Sequence, residues 1–287
     1  MSTFLHHGYI ANAAAMGLNW IYNMPYLERL AKEQDILFLP VDEAKYKRAG
    51  KAYLAYPNAV VGTISVQGEI AKWLTQALDA NPELTKEQYQ ELLFEQIKPG
   101  GPYVGYVESY GKQLVINKLA EQVKGNLPAL AINDDQMVGL IPYWVCKDRG
   151  ESSERAFELA QAFTSINDFL AVYRMFDQLI EDIPTVGMRQ AIKQASKLAP
   201  SSMKVPIQKA IDLENTMEFI TNHSGTACHI PHAIPLILHI LYHTDSFESA
   251  LQKNTVIGGA SCDRGLSIGA LAGLAYPVPD AWTKYGQ

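Results

Sequence analysis

The sequence predicts an all-α fold. Apolar residues recur at three- and four-residue spacing through most of the chain, strand-like runs are few and short, and strands and helices do not alternate. No fixed-period repeat and no Pro- or Ser-rich linker divides the 287 residues, so one compact domain over 1–287 is expected.

In chain order, residues 69–78 place Ile70, Trp73, Leu74 and Ala77 on one helical face. Thr85 caps a helix running through 95, with Gln88 at the capping-box position. Residues 112–123 repeat the amphipathic pattern through Leu114, Val115 and Leu119. Residues 154–179 form a long helical region carrying Phe157, Phe163, Phe169 and Phe176. Helices over 188–199 and 205–220 flank Pro200-Ser201-Ser202. Helices over 230–242 and 247–252 follow, and Gly258-Gly259 opens the last one. The best strand candidate is 59–64. The loops 57–62, 98–105 and 222–228 are where helix ends would build a site.

Composition bounds the function. Hydrophobic residues at 48% and charged residues at 19% suit a globular protein with a large core. A net charge of -6, with no basic stripe, argues against a nucleic-acid partner. Met1-Ser2-Thr3-Phe4-Leu5-His6-His7 has neither the basic nor the apolar part of a secretion signal. The apolar runs are broken by Pro and His before the roughly 20 residues a membrane span needs, so no membrane partner is expected. Three widely spaced cysteines do not make a disulfide framework, so a cytoplasmic setting is expected.

Several residues offer chemistry. The free N–H groups of the helix after Gly258-Gly259 suit an anionic or polar ligand. Asn133-Asp134-Asp135-Gln136 reads either as a pocket lining with Asp134 or Asp135 as base, or as a helix cap and first turn. Glu69 is a general base or a solvated helix-face carboxylate. Cys228, His229, His232 and Cys262 suggest zinc or a thiol nucleophile, but their spacing is not a zinc signature, and buried Cys with packed His is the simpler reading. Cys262 at a helix N-terminus would have a lowered pKa if exposed. Arg264 stands where a helix dipole disfavours a cation, so it needs a partner: Asp263, Asp134, Asp135 or a bound phosphate.

Four stretches, in order, resemble the motifs of the ADP-ribosylglycohydrolase superfamily. They are Ala13-Ala14-Ala15-Met16-Gly17-Leu18-Asn19-Trp20-Ile21-Tyr22, Ser65-Val66-Gln67-Gly68-Glu69-Ile70, Asn133-Asp134-Asp135-Gln136-Met137 with Pro142, and Gly258-Gly259-Ala260-Ser261-Cys262-Asp263-Arg264. Trp20-Ile21-Tyr22, Cys228-His229-Ile230-Pro231-His232 and Ser261-Cys262 with Arg264 are similar to the branch containing J crystallins and selenoprotein J. The resemblance implies a compact orthogonal helical bundle with the motifs converging at its centre. It also implies two Mg²⁺ ions held by aspartates and threonines of the second and fourth motifs. Those aspartates fall here on Val66, Gln67, Ala260 and Cys262, and the threonines on Ser65, Gly68 and Asp263. Mg²⁺ wants hard, anionic oxygen ligands, so no binuclear magnesium site and no other cofactor is expected.

The implied function is hydrolysis of ADP-ribosyl or related ribosyl conjugates. Asp134, Asp135, Glu69 or Asp263 would activate water. Ser65, Gln67, Asn133, Gln136, Cys262, Arg264, His229 and His232 would hold an ADP-ribose-like small molecule, with helix N-termini on its phosphates. The alternatives are a non-catalytic small-molecule-binding or structural, crystallin-like protein on the same fold, and a thiol or zinc activity centred on Cys262.

Overall fold

The computed structural model describes residues 3–124 and 134–286. Those residues form helices and no strands. They are α1 (Thr3–Ala15), α2 (Met24–Glu33), α3 (Glu43–Ala49), α4 (Val66–Ala80), α5 (Lys86–Ile97), α6 (Ser109–Lys124), α7 (Ile141–Asp148), α8 (Ser153–Ala160), α9 (Asp168–Val186), α10 (Met188–Ala195), α11 (Lys204–Asp212), α12 (Thr216–Phe219), α13 (Ile230–Tyr242), α14 (Phe247–Ile257) and α15 (Ser261–Ala275). Among the described residues no helix is long and apolar enough to cross a membrane.

The centre is the pair α1 and α15. Every residue of α15 from Ser261 to Ala272 is buried, so this helix is enclosed on all sides. Small residues make that possible. A Cβ on Gly269 would lie 2.2 Å from the His7 carbonyl oxygen, and one on Gly265 would lie 2.8 Å from that of Ala11. The two backbones therefore touch, which only glycine permits. α4, α7, α9, α13 and α14 pack around this pair.

Three elements differ from the expectation. The candidate strand 59–64 is a turn closed by Thr63 N–H to the Val60 carbonyl at 3.0 Å and Val60 N–H to the Thr63 hydroxyl at 3.1 Å. Its Gly62 has φ +95, and the turn meets no partner strand among the described residues. The region 154–179 splits into α8 and α9 because Thr164 bonds the Ile166 N–H at 3.0 Å and ends the helical pattern. The region 205–220 splits because Asn215 caps a new helix, accepting the Glu218 N–H at 3.0 Å. The capping box at Thr85 and Gln88 forms.

Candidate functional site

The N-termini of α4 and α15 meet at one buried point, held by Asn12 of α1. The Asn12 amide donates to the Ser65 hydroxyl at 2.9 Å and to the Cys262 carbonyl at 3.0 Å, and its oxygen accepts the Ser65 N–H at 2.7 Å. The Ser65 hydroxyl in turn donates to Asp263 at 3.1 Å. Beside them, Glu108 immediately precedes α6, and its carboxylate accepts from the Gln67 amide at 3.5 Å. Ser65, Gln67, Glu108 and Asp263 are all buried.

This cluster is electrostatically loaded. Burial pushes the Asp263 carboxyl up to about 7, against the opposing pull of the Ser65 hydrogen bond and the Arg264 charge. Burial and then the neighbouring Asp263 push Glu108 well above the carboxylate range. Two buried carboxyls whose charges act on one another do not both ionise at little cost, so at neutral pH the pair holds a proton, chiefly on Glu108. Among the described residues, Gln67 Oε1, Glu108 Oε1 and Asp263 Oδ2 are buried without a hydrogen-bond partner.

Aromatic rings group near the start of α4. Trp20 lies 5.2 Å from Tyr106, 5.6 Å from Tyr53 and 6.4 Å from Tyr56, ring centre to ring centre. The Tyr56 hydroxyl accepts the Val66 N–H at 3.1 Å, which fixes that ring on the start of α4. Tyr22, 37% exposed, has its phenol pushed up to about 12 by burial and by the charges of Cys228, Asp263 and Glu108, so it spans solvent and the acid pair. Trp20 is held at φ +61, in the left-handed region that bulky side chains avoid: its N–H donates to the Gly259 carbonyl at 2.8 Å and its carbonyl accepts the Tyr53 N–H at 2.9 Å.

The sequence-derived candidates separate into groups. Ser65, Gln67 and Asp263 lie in the central cluster. Asp134 and Gln136 lie beside it. Asp134 accepts the Gln136 N–H at 2.7 Å and its amide at 3.1 Å, and that amide also donates to Ser109 at 2.8 Å, next to Glu108. Asp134 is pushed up by burial and its charge adds to the shift of Glu108. Asp135 is paired with His229 on the half-exposed rim. His232 donates Nδ1–H to the Ser224 carbonyl at 2.6 Å. Glu69 lines a cavity of about 340 Å³ with Tyr56, Thr63 and Tyr103. Asn133 lies outside the described residues.

Cys262 and Arg264 have structural surroundings. The Cys262 side chain packs in an apolar patch with Ala15 and Met16. Burial pushes its thiol well up, and burial pushes the half-buried Cys228 thiol up to about 12, so neither is a ready thiolate. The Arg264 guanidinium is fully buried and donates to Asn254 Oδ1 at 3.1 Å and to the carbonyls of Gly258 at 2.5 Å, Thr226 at 3.4 Å and Asn254 at 3.5 Å. Those carbonyls cluster at the C-terminal end of α14, whose dipole favours a cation. These acceptors hold Arg264 without a hydrogen bond to a carboxylate, and Asp263 acts on it through charge. The start of α15 is likewise already engaged. Ser261 N–H bonds the Gly259 carbonyl at 2.8 Å, and Cys262 N–H bonds Asn19 Oδ1 at 3.0 Å. The N–H groups of Ser261 and Cys262 are therefore taken by internal partners. Among the described residues no group of three or more His, Cys, Asp or Glu is placed to hold a metal.

Asn12 and Glu108 were not legible as site residues. Glu108 follows the flagged loop 98–105 by three positions and carries no motif. Asn12 sits one residue before the first motif, and only its complete burial marks it.

The family model described as ADP-ribosylglycohydrolase matches residues 144–285. A solved structure titled "ADP-ribosylglycohydrolase-related protein complex" superposes with a TM-score of 0.64 at 11% identity, covering 98% of this chain and 90% of that one. The chain has that fold. No curated protein matches it by sequence.

Proposed function

We infer that this chain is a member of the ADP-ribosylglycohydrolase superfamily and hydrolyses a glycosidic bond to an ADP-ribosyl or related ribosyl group. The family match supports the superfamily, and the Glu108–Asp263 carboxyl pair is the observation that carries the chemistry. Trp20-Ile21-Tyr22 and the Ser261-Cys262-Asp263-Arg264 run support placing it in the branch with J crystallins and selenoprotein J.

Two magnesium ions do not fit this donor set. The family's aspartate positions are Val66, Gln67, Ala260 and Cys262, and Cys262 faces an apolar patch. The oxygen donors present are two carboxyls, one amide and one hydroxyl already engaged with Asp263. That is too little negative charge and too few ligands for two near-octahedral sites.

The pair itself supplies the two functions hydrolysis needs. Neighbouring carboxyls whose environments separate their proton affinities serve as acid and base. Glu108, which keeps its proton, donates it to the leaving atom as the bond from the anomeric carbon breaks and its electrons go to that atom. Asp263, ionised above about pH 7, accepts a proton from the water whose oxygen bonds to the anomeric carbon. Asp134 acts through Gln136 and Ser109 as a positioning residue for Glu108.

The test is turnover of ADP-ribosylated peptides and ADP-ribosyl nucleosides by purified protein. E108Q and D263N are each expected to lower kcat by roughly 100-fold or more, with the circular dichroism spectrum unchanged. Failure to hydrolyse any such conjugate, with or without added Mg²⁺, would overturn the reading.

A further inference from the structure

Lys112 breaks a local rule. It is the fourth residue of α6, where its N–H bonds the Glu108 carbonyl at 3.0 Å, so its side chain leaves the helix one turn after Glu108. A cation this close to a helix start opposes the dipole. No carboxylate compensates it: among the described residues the Lys112 ammonium has no hydrogen bond or ion pair, and it rests 4.8 Å from the centre of the Tyr106 ring. Lys118 on the same helix, by contrast, is paired with Glu91 at 3.0 Å. A residue set against a local rule without a structural partner marks a functional position.

Its surroundings define what it takes. The Lys112 charge acts on Glu108, against the charges of Asp263 and Asp134, so the ammonium is within electrostatic reach of the acid pair. The other cation there, Arg264, is committed to the carbonyls around Gly258, and the N–H groups of Ser261 and Cys262 have internal partners. Lys112 is exposed, so an anion meets it without stripping a buried group of its bonds. The rings beside it continue outward. Tyr106 lies 5.2 Å from Trp20 and 5.5 Å from the exposed Tyr53, ring centre to ring centre. An ammonium for the phosphate and ring faces for the base are what a nucleoside phosphate calls for.

We propose that Lys112, held on the Tyr106 ring one turn from Glu108, is a specificity-determining residue that takes a phosphate group of the substrate. It makes the site select phosphate-bearing ribosyl conjugates over phosphate-free ones. The inference rests on the hydrolase reading for the ribosyl group presented to the acid pair, but the phosphate contact is measured without turnover.

The experiment is calorimetric titration of the full chain with ADP-ribose. K112Q is expected to weaken binding roughly tenfold, the loss of one charge-assisted contact. K112R keeps the charge and stacks on a ring, so it is expected to stay within about threefold of wild type. K118Q, on the same helix, is expected to bind like wild type. In the hydrolysis assay K112Q is expected to raise KM roughly tenfold and leave kcat within about twofold. Absence of ADP-ribose binding would overturn the proposal. So would equal affinity in wild type and K112Q, or an equal loss in K112Q and K118Q, which would report surface charge in general. Binding that depends on Lys112 without turnover of any conjugate would support the phosphate contact and overturn the hydrolase reading. Turnover with an unchanged KM in K112Q would do the reverse.

Discussion

The Ser65 hydroxyl donates a hydrogen bond of 3.1 Å to Asp263, 198 residues further along the chain. That contact joins the first turns of α4 and α15 and sets the position of the carboxyl. It exists because Asn12, on α1, holds Ser65 and the Cys262 carbonyl at once.

Asn12→Ala strands the Ser65 N–H and the Cys262 carbonyl among buried groups, since Asn12 and Ser65 are both fully buried. The expected cost is about 3 kcal/mol. Urea unfolding measures it, and a loss below about 0.5 kcal/mol would show that the three bonds do not organise the centre.

The acid pair gives stability an unusual pH dependence. The Asp263 carboxyl moves from 3.8 when unfolded to about 7 when folded, so the native state binds the proton more tightly. Its stabilising contribution is complete below about pH 4, is lost as pH rises from about 4 to 7, and is absent above. Glu108 shifts in the same direction. Burial lowers His7, His239 and His243, which act in the opposite sense in the acid range. Wild type is therefore compared with D263N at each pH. D263N is expected to gain on wild type by about 3 kcal/mol between about pH 5 and pH 8. A constant difference across that range would contradict the assignment.

The α1–α15 contact is tested with alanine. Gly269→Ala puts a methyl 2.2 Å from a backbone carbonyl that cannot swing aside, and about 3 kcal/mol of destabilisation is expected. Gly150→Ala is the control. Gly150 has φ +72 and open space around it, so it reports backbone strain alone, about 1 kcal/mol. Equal costs in chemical denaturation would mean that the helices are not in backbone contact.

The helices that carry the fold were legible because their apolar spacing and caps are local. Thr85 with Gln88 is a capping box in sequence and in space. The run 59–64 was misleading because β-branched residues favour strands only where a partner edge exists, and here Gly62 and Thr63 close a turn. The site was half legible. Ser65, Gln67 and Asp263 sit in motif-like stretches, whereas Glu108 gains its meaning only when the fold brings it within reach of the Asp263 charge, 155 positions further along the chain. Arg264 was readable as a residue needing a partner, but the partners are backbone carbonyls, which no sequence pattern names.

Arg264 gives the last prediction. Its guanidinium satisfies Asn254 Oδ1 and the carbonyls of Gly258 and Thr226 at full burial. Arg264→Ala therefore leaves several buried acceptors unpaired and costs about 3 kcal/mol or more. Arg264→Lys keeps the charge but replaces a planar fork with a point donor, so it recovers only part of that loss. The charge also favours ionised Asp263. In Arg264→Lys, which retains a cation nearby, the carboxyl is expected to titrate close to its wild-type position. In Arg264→Ala it is expected to shift upward. Carbon-13 NMR of the labelled Asp263 carboxyl reads the shift directly. A downward move in Arg264→Ala would mean that Arg264 does not act on the acid pair.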